Sequence, residues 1–433
     1  MNSRIARSPS NKAGFTLIEL LLSTAVIAGL MYFLVSTIDQ TQKVWVRTNE
    51  KVTEFQSARS AFESMTRRLS QATLNTYWRA HDTDIANSVA TFKFRRQSEL
   101  QFISGPTQRF FGASPQLSNL STPLDKAYPT DAVFFQAPIG YTEEPPSSGT
   151  VKLPYYRNLD SLLATCGYFI EFGVESNRPA FIDTLTPPLP DRYRYRLMEM
   201  TIPSEHLTIF QRFKQGGAPD DLGSIDPRVF DENIAYYGGM VNTSRKPIDS
   251  WVRPLWMKEA FLREAIPSSG GKYRFTYAHV RAENIIALIV LPKLAEKDRV
   301  VPGTKNYDPT QLELAPSYEF DSWRILSGGT ATDTSTTPSR VVDNTARDNL
   351  LPPIVQVTMV AVDEKAMARF GPTASNIPKW TDSLFTKAAT VSDYTTDMQT
   401  LEQRLIDDPY KPNYRIFTAD IVLRGSKWSR DPK

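Results

Sequence analysis

The chain has 433 residues, and its 41% hydrophobic content is enough to bury a sizeable core. Its 50 Lys and Arg nearly balance its 47 Asp and Glu, which excludes a broadly basic nucleic-acid-binding protein but not a local basic patch. A single cysteine, Cys166, excludes an intrachain disulfide. It lies in an apolar stretch, so we expect a buried small hydrophobe rather than a reactive thiol.

The first element is a basic leader followed by a long apolar run. Residues 1–14 carry three cations and no acid, and residues 15–35 are uncharged except for Glu19. A helix of about 20 residues crosses a hydrocarbon core of about 30 Å. A signal peptide would instead have a shorter apolar core followed by a small-residue cleavage site. Because flanking cations stay on the cytoplasmic side, we predict a single-pass anchor with its N-terminus inside and the remaining chain outside.

Glu19 is the unusual residue of this run, since a charged side chain inside lipid costs at least about 2.5–3.5 kcal/mol. The Glu19 side chain can extend to the cytoplasmic interface, where it needs no partner. Alternatively, its charge can be paired with a cation inside the membrane. The stretch GFTLIE, residues 14–19, resembles the class III leader of type IV prepilins and type II secretion pseudopilins. The resemblance implies that prepilin peptidase cuts between Gly14 and Phe15 and N-methylates Phe15. It also implies that Glu19 pairs with the new α-amino group of a neighbouring subunit during assembly.

Residues 36–78 continue the helical pattern with one apolar stripe. Apolar residues recur there at alternating steps of three and four residues, which is typical of one face of a helix. The stripe consists of Phe55, Ala58, Phe62, Met65, Leu69 and Ala72. No proline interrupts residues 15–77, so a single helix of about 60 residues is allowed. We expect the stripe to pack a globular head; a coiled-coil partner helix is the alternative.

The remainder, residues 79–433, is predicted to be a β-rich head, because short runs of period two are bounded by Pro, Gly and Ser. The predicted strands cover residues 99–104, 131–137, 166–172, 193–202, 284–291, 354–362 and 414–423. A short helix over 363–370 is predicted to end at Gly371 and Pro372. Residues 303–350 lack periodicity and predict a long surface loop or insertion. The predicted fold class is α+β: a long N-terminal helix, transmembrane and then amphipathic, packed on a large, mainly antiparallel β head, as in pilins.

The head shows no convincing pattern of an enzyme. Its three histidines, His81, His206 and His279, form no HExxH motif or close pair, so a histidine-based zinc site has little support. The segment from Ser269 to Lys272 matches S-x-x-K without the partner motifs of that chemistry, and it is typical of a turn. We therefore predict no catalytic residue, no metal ligand and no cofactor.

Two further groups of head residues allow a functional or a plain interpretation. Asp333, Asp343 and Asp348 can bind calcium, but their spacing is not that of an EF-hand loop and favours a solvated loop. The stretch RYRYR, residues 192–196, can grip single-stranded DNA by charge and stacking. On a strand, however, its arginines share one face and its tyrosines the other, which favours one wet and one packed face. Nucleic acid is not an expected partner.

A second resemblance concerns the helix and the head. Residues 62–72 are similar to the helix of J-type minor pseudopilins. Together with DAVFFQAP, CGYFIEFG, LPPIVQVTMVAVDE and the closing NYRIF and KWS, they make the chain similar to the Verru_Chthon cassette protein C family. That family is defined by its gene neighbourhood and prepilin-like leaders, and it implies no biochemical activity.

These resemblances imply a structural pilin-like or pseudopilin subunit of a type II secretion or type IV pilus-like envelope complex. The expected location is the bacterial inner membrane, with the head periplasmic or on an extracellular fibre. The expected partners are prepilin peptidase, other pilin or pseudopilin subunits and the membrane, with no small-molecule substrate. A head this large predicts a minor or tip component. The alternative is a single-pass anchored adhesin or binding protein that does not polymerise.

Overall fold

The computed structural model divides into two compact units, residues 1–56 and residues 57–433. It describes residues 16–80, 94–98, 100–111, 124–141, 161–174, 191–204, 207, 263–265, 273–293, 318–322, 331–333, 340–342, 349–373, 375–386 and 391–426. Helices and strands are numbered below in chain order over these residues.

The first unit is built on α1, which covers Leu17–Glu54. Its segment Leu17–Trp45 is long and apolar enough to cross a membrane, and the apolar window in it is entirely unburied by the protein. No other helix among the described residues meets that test of length and composition. The expected N-terminal apolar helix is therefore present and is consistent with single-pass anchoring.

A turn at Phe55 separates α1 from α2, which covers Gln56–Leu69. The structure thus has two helices where the absence of proline allowed one. The residues before the turn include Val52 and Thr53, and β-branched and aromatic residues have lower helix propensity than straight-chain ones. Weak local propensity is consistent with a break at this position.

The apolar stripe of α2 packs on the head, as predicted. Ala58, Phe62, Met65 and Leu69 are buried, and the ring of Phe62 lies 5.8 Å from that of Phe417. At its C-terminal end the helix is tied down by charge, since Arg68 Nη1 lies 2.9 Å from Glu199 Oε1. The next segment is held as well, because the N–H of Thr73 donates to the carbonyl of Gln136 at 2.9 Å.

The head contains two principal antiparallel sheets. The six-stranded sheet has the order β11-β3-β4-β5-β6-β9, and the three-stranded sheet has the order β10-β14-β15. Separate two-stranded pairs are β1–β2, β7–β8 and β12–β13. The strands are β1 Tyr77–Ala80, β2 Phe94–Gln97, β3 Ile103–Pro106, β4 Asp131–Pro138, β5 Leu163–Val174, β6 Tyr193–Ile202, β7 Arg263–Ala265, β8 Tyr273–Phe275, β9 Ala278–Glu283, β10 Ile285–Lys293, β11 Phe320–Asp321, β12 Ala331–Asp333, β13 Arg340–Val342, β14 Ile354–Val362 and β15 Tyr414–Val422. The helices after α2 are α3 Thr107–Phe111, α4 Leu124–Ala127, α5 Glu364–Phe370 and α6 Val391–Asp407.

The predicted combination of an N-terminal apolar helix with a mainly antiparallel β region is confirmed. Predicted strands 193–202 and 354–362 coincide with β6 and β14, and the other five overlap observed strands with shifted ends. The predicted short helix is α5. Gly371 ends it in the left-handed region, with φ 59°, and donates its N–H to the carbonyl of Met367. Glycine reaches this conformation without a Cβ penalty, which is why it terminates helices.

The chain passes from one sheet to the other through a single residue, Asn284, between β9 and β10. Asn284 has φ 59°, a left-handed conformation that asparagine tolerates better than most residues. Its N–H donates to the carbonyl of Tyr195 in β6, and its carbonyl accepts from the N–H of Val362 in β14. Strand β10 then packs against β4, β5 and β6, and the residues Ile285–Pro292 are buried. A hydrophobic core cluster of the head lies against the six-stranded sheet, where Phe110 of α3 and Tyr128 pack with Phe134 of β4 and Phe169 of β5.

The surface-loop prediction for 303–350 fails at residues 318–322. Tyr318 and Phe320 are buried there, and β11 adds a strand to the edge of the six-stranded sheet beside β3. The cause is two aromatic side chains in a segment too short to show a period, since burial of a large aromatic outweighs the loss of chain entropy.

Candidate functional site

The N-terminal segment carries the chemistry that the sequence singles out. Gly14 and Phe15 lie outside the described residues, whereas Glu19 lies in the first turn of α1 and is exposed. The structure therefore describes the carboxylate side of the predicted charge pair.

Glu19 and Thr16 form a reciprocal cap at the start of α1. The backbone N–H and the hydroxyl of Thr16 both donate to Glu19 Oε2, each at 3.1 Å. In return, the N–H of Glu19 donates to Thr16 Oγ1 at 3.4 Å. This is the capping box T-x-x-E, which satisfies N–H groups that have no partner inside the helix. The T-x-x-E spacing of Thr16 and Glu19 is the sequence signal of this cap, and an interpretation of Glu19 as a charge in lipid alone misses it.

The cap also places negative charge where a helix favours it, because a helix N-terminus carries about half a positive elementary charge. Glu19 is thus held by groups of its own chain. Both hydrogen bonds from Thr16 end on the same oxygen, Oε2. A carboxylate has about four acceptor sites on two oxygens, so it can bind a further cation without losing the cap.

Several other polar side chains of this helix are bonded within it. The hydroxyls of Ser23, Thr24 and Thr37 donate to backbone carbonyls of the preceding turn. Asp39 and Lys43 form an ion pair one turn apart, at 2.6 Å, towards the end of the apolar span. Satisfied polar groups are what a hydrocarbon environment requires. Glu19 lies near the other end of the span, where its carboxylate accepts two hydrogen bonds from Thr16.

In the head, Cys166 is fully buried, as expected. Burial raises the pKa of its thiol to about 12, although the nearby Arg68 guanidinium acts in the opposite direction. The thiol is the form present at neutral pH, and the thiolate is the nucleophile. Cys166 is therefore a core residue beneath α2.

The prediction of one wet face for the 192–196 stretch is wrong. Arg194 and Arg196 are only 6% and 3% exposed. Arg194 Nη2 lies 2.6 Å from Glu364 Oε1, and Arg196 Nη2 lies 2.9 Å from Glu171 Oε2. The acid that covers Arg194 comes from α5, about 170 positions later, so the local alternation could not reveal it.

The Glu364 carboxylate accepts hydrogen bonds from three residues of the head. Arg192, Arg194 and Asn284 each place a nitrogen within 2.8 Å of its carboxylate. Burial alone would raise its pKa, but the hydrogen bonds from Arg194 and Asn284 and the charges of the arginines lower it. The cluster joins the start of β6, the connection at Asn284 and α5. It is an internal structural site of the head.

Among the described residues, no three His, Cys, Asp or Glu side chains gather as a metal-binding group. His279 is exposed on β9, and Asp333 lies in β12. The other positions that the sequence raised for metal or acyl chemistry lie outside the described residues. They are His81, His206, Ser269 to Lys272, Asp343 and Asp348.

The chain was compared with models of protein families, with curated proteins and with solved structures, and none of them matches it. Function is therefore inferred from the residues themselves. The arginine–carboxylate contacts and Cys166 described above lie inside the head. The capped carboxylate of Glu19 lies instead at the start of an exposed apolar helix, where packing of the head does not explain it.

Proposed function

We propose that the chain is a pilin-like structural subunit without enzymatic activity, anchored in the bacterial inner membrane with its N-terminus inside. Prepilin peptidase cuts it between Gly14 and Phe15, and Phe15 is then N-methylated. The subunit joins a type II secretion or type IV pilus-like envelope complex through contacts with other pilin or pseudopilin subunits. The observation that carries the proposal is Glu19, a capped carboxylate in the first turn of a membrane-length helix whose apolar window is unburied.

The chemistry of assembly follows from cleavage. Hydrolysis of the Gly14–Phe15 amide produces an α-amino group one residue before Thr16, and a methylated amine keeps both its positive charge and a donor N–H. A charge-assisted hydrogen bond from this ammonium to a carboxylate is roughly twice as strong as a neutral one. In hydrocarbon each charge is unfavourable alone, so the amine of one subunit and Glu19 of the next stabilise each other only when they meet.

The head supports a low-copy role. It extends over residues 57–433 and forms one compact unit with α2 packed on its sheets. A head of this size would crowd a continuous fibre of closely spaced helices. We therefore propose a minor or tip position rather than a major subunit.

The test replaces Glu19 with alanine in the full chain, expressed in its native host. The processed N-terminus is read by peptide mass spectrometry of membrane extracts, and assembly by crosslinking to other subunits and by recovery in the sheared fibre fraction. We expect the wild-type protein and the Glu19→Ala variant both to begin at methylated Phe15. Glu19→Ala should reduce crosslinking and recovery by at least about tenfold, because the neighbour's ammonium is left unpaired in lipid.

Asp39→Ala is the matched control, since it removes an acid from the same helix that is already paired with Lys43. It should leave both processing and assembly unchanged. A host without prepilin peptidase should yield a chain that begins at Met1. If the wild-type protein also begins at Met1 in its normal host, or if Glu19→Ala assembles normally, the chain is an anchored adhesin or binding protein instead.

A further inference from the structure

Among the described residues, strand β10 is one of the two outer strands of the three-stranded sheet, and two of its N–H groups donate to side chains. The N–H of Leu288 donates to Thr130 Oγ1, and the N–H of Val290 donates to Asp131 Oδ2, both at 3.0 Å. Thr130 directly precedes β4 and Asp131 is the first residue of β4, in the other sheet. These two side chains therefore stand in for a neighbouring strand and join the two sheets.

Asp131 is an unusual residue for this position. It is fully buried, and its second oxygen, Oδ1, has no hydrogen-bond partner among the described residues. A buried carboxylate with one oxygen unbonded is unfavourable, because nothing replaces the water that it loses. Burial raises the pKa of Asp131 well above its ordinary value; the Val290 N–H opposes that shift, and the charge of Glu319 adds to it.

Among the residues that the structure describes, no cation is recorded as compensating the charge of Asp131. Glu319 is 6% exposed and contributes like charge from the 318–322 segment. Tyr318, from the same segment, is fully buried and its hydroxyl donates to Asp397 Oδ2. Strand β10 contacts Asp131 through the backbone N–H of Val290, and in β3 the residue paired with Asp131 is Pro106, so neither contributes a charged side chain at this point.

The backbone before Asp131 is strained. Thr130 has φ 61°, which is rare for a β-branched residue. Its carbonyl accepts both the N–H and the hydroxyl of Thr107, each at 2.8 Å, and these bonds hold the strained conformation. Strain of this kind persists only where the surrounding structure enforces it.

We propose that Asp131 is an acid-dependent latch between the two sheets, closed when its carboxyl group is neutral and opened when that group ionises. The neutral acid accepts the Val290 N–H without placing a net charge in the core. Loss of the proton to solvent creates a buried anion beside Glu319, and local separation of β10 from Thr130 and Asp131 lets water reach it. The latch is independent of leader cleavage and of assembly.

The direction of the pH dependence follows from linkage. The folded head keeps the proton of Asp131 at pH values where the unfolded chain, with an aspartate pKa near 3.8, has lost it. The stabilisation from this group is therefore full below the unfolded pKa and is lost as pH rises through the folded one. Opening that releases one proton becomes about tenfold more favourable per pH unit.

Hydrogen exchange of the full-length protein in detergent micelles tests the latch. The protection factors of the Leu288 and Val290 amides are measured from about pH 5 to about pH 10, corrected for the intrinsic exchange rate. We expect them to fall by about tenfold per pH unit over part of this range. A wild-type protein whose protection factors at these two amides do not change with pH would overturn the proposal.

Three variants separate the latch from general effects of pH. Asp131→Asn keeps an acceptor for Val290 and cannot ionise, so its protection should stay constant, and loss of folding in this variant would contradict the proposal. Glu319→Gln removes the like charge that helps to raise the folded pKa of Asp131, so the fall should end at a lower pH; an unchanged end point would also contradict the proposal. Asp407→Asn, an exposed acid at the end of α6, is the control and should behave as wild type.

Discussion

Glu364 shows how a single residue joins distant parts of the head. Its carboxylate accepts hydrogen bonds from Arg194 at 2.6 Å and from Asn284 at 2.7 Å, and it also pairs with Arg192. Arg194 has a side chain only 8% exposed, so it depends on this partner far more than Glu364, which is 41% exposed. Removing the acid leaves a nearly buried guanidinium without its counter-charge.

We expect Glu364→Gln to lower the free energy of unfolding by about 1–3 kcal/mol, a value reduced from that of a fully buried pair because Glu364 is partly exposed. The measurement is urea unfolding of the full-length protein in detergent at neutral pH. Glu63→Gln is the control, since its ion pair with Arg59 is exposed on both sides and should contribute about 0–1 kcal/mol.

The pH dependence of this difference has a definite sign. Because the folded protein lowers the pKa of Glu364, its stabilisation is present above the unfolded pKa and is lost as pH falls through the folded one. Wild type and Glu364→Gln should therefore converge in acid. A difference that grows in acid would mean that Glu364 is not the anionic partner of Arg194.

At the scale of elements, α2 is held to the head by its apolar stripe. Met65 lies at the middle of the stripe and is fully buried. Met65→Ala should lower the free energy of unfolding by about 2–5 kcal/mol, because it leaves a cavity as well as losing buried apolar surface. Arg67→Ala, on the exposed side of the same helix, should change it by less than about 0.5 kcal/mol.

The same pair of variants tests the coiled-coil alternative for the stripe. Because α2 packs on its own head, the Met65→Ala effect should be independent of protein concentration in urea unfolding. An effect that appears only at concentrations where the chain self-associates would favour a partner helix from another subunit.

Elements whose pattern is local were predictable, and elements defined by distant partners were not. Strands β6 and β14 carry continuous or alternating β-favouring residues and match their predicted bounds. Helix α6 was missed because it is largely polar, although Tyr394, Met398, Leu401 and Leu405 recur at steps of four, three and four. Those four residues are the signal that a helical-period search of this segment would have found.

The functional residues show the same division. The role of Glu19 as a charge at the start of an apolar helix follows from its neighbours in sequence, and so does the overlooked cap with Thr16. The burial of Arg194 and the hydrogen bond that the Val290 N–H donates to Asp131 depend on contacts between residues about 160–170 positions apart. No periodicity within a strand carries that information.

At the scale of the whole molecule, Cys166 offers a reporter of global unfolding, because it is the single cysteine of the chain and is fully buried. At about pH 8 the native protein should resist alkylation under conditions that label the denatured chain completely, since burial raises the pKa of the thiol to about 12. Labelling should proceed only through opening of the head around β5.

The labelling rate of Cys166 can be compared between the wild type and the Met65→Ala variant. Met65→Ala should accelerate labelling by about tenfold for each 1.4 kcal/mol of lost stability, as long as reclosing is faster than the chemical step. Arg67→Ala should label at the wild-type rate. Rapid labelling of the native wild-type protein would show that Cys166 is reached through a local opening instead.

The pairing of β3 with β11 sets the order in which the head can be completed during synthesis. The N–H of Phe102, just before β3, donates to Ser322 Oγ, 220 positions later in the chain. At about 5–20 residues per second, a ribosome needs on the order of tens of seconds to supply that partner. The membrane-length helix is made first, and the nascent head then waits with one sheet edge uncovered. An uncovered strand edge is a site for pairing with other chains, so we expect the β3 edge of the nascent head to be open to mispairing until residues 318–322 arrive.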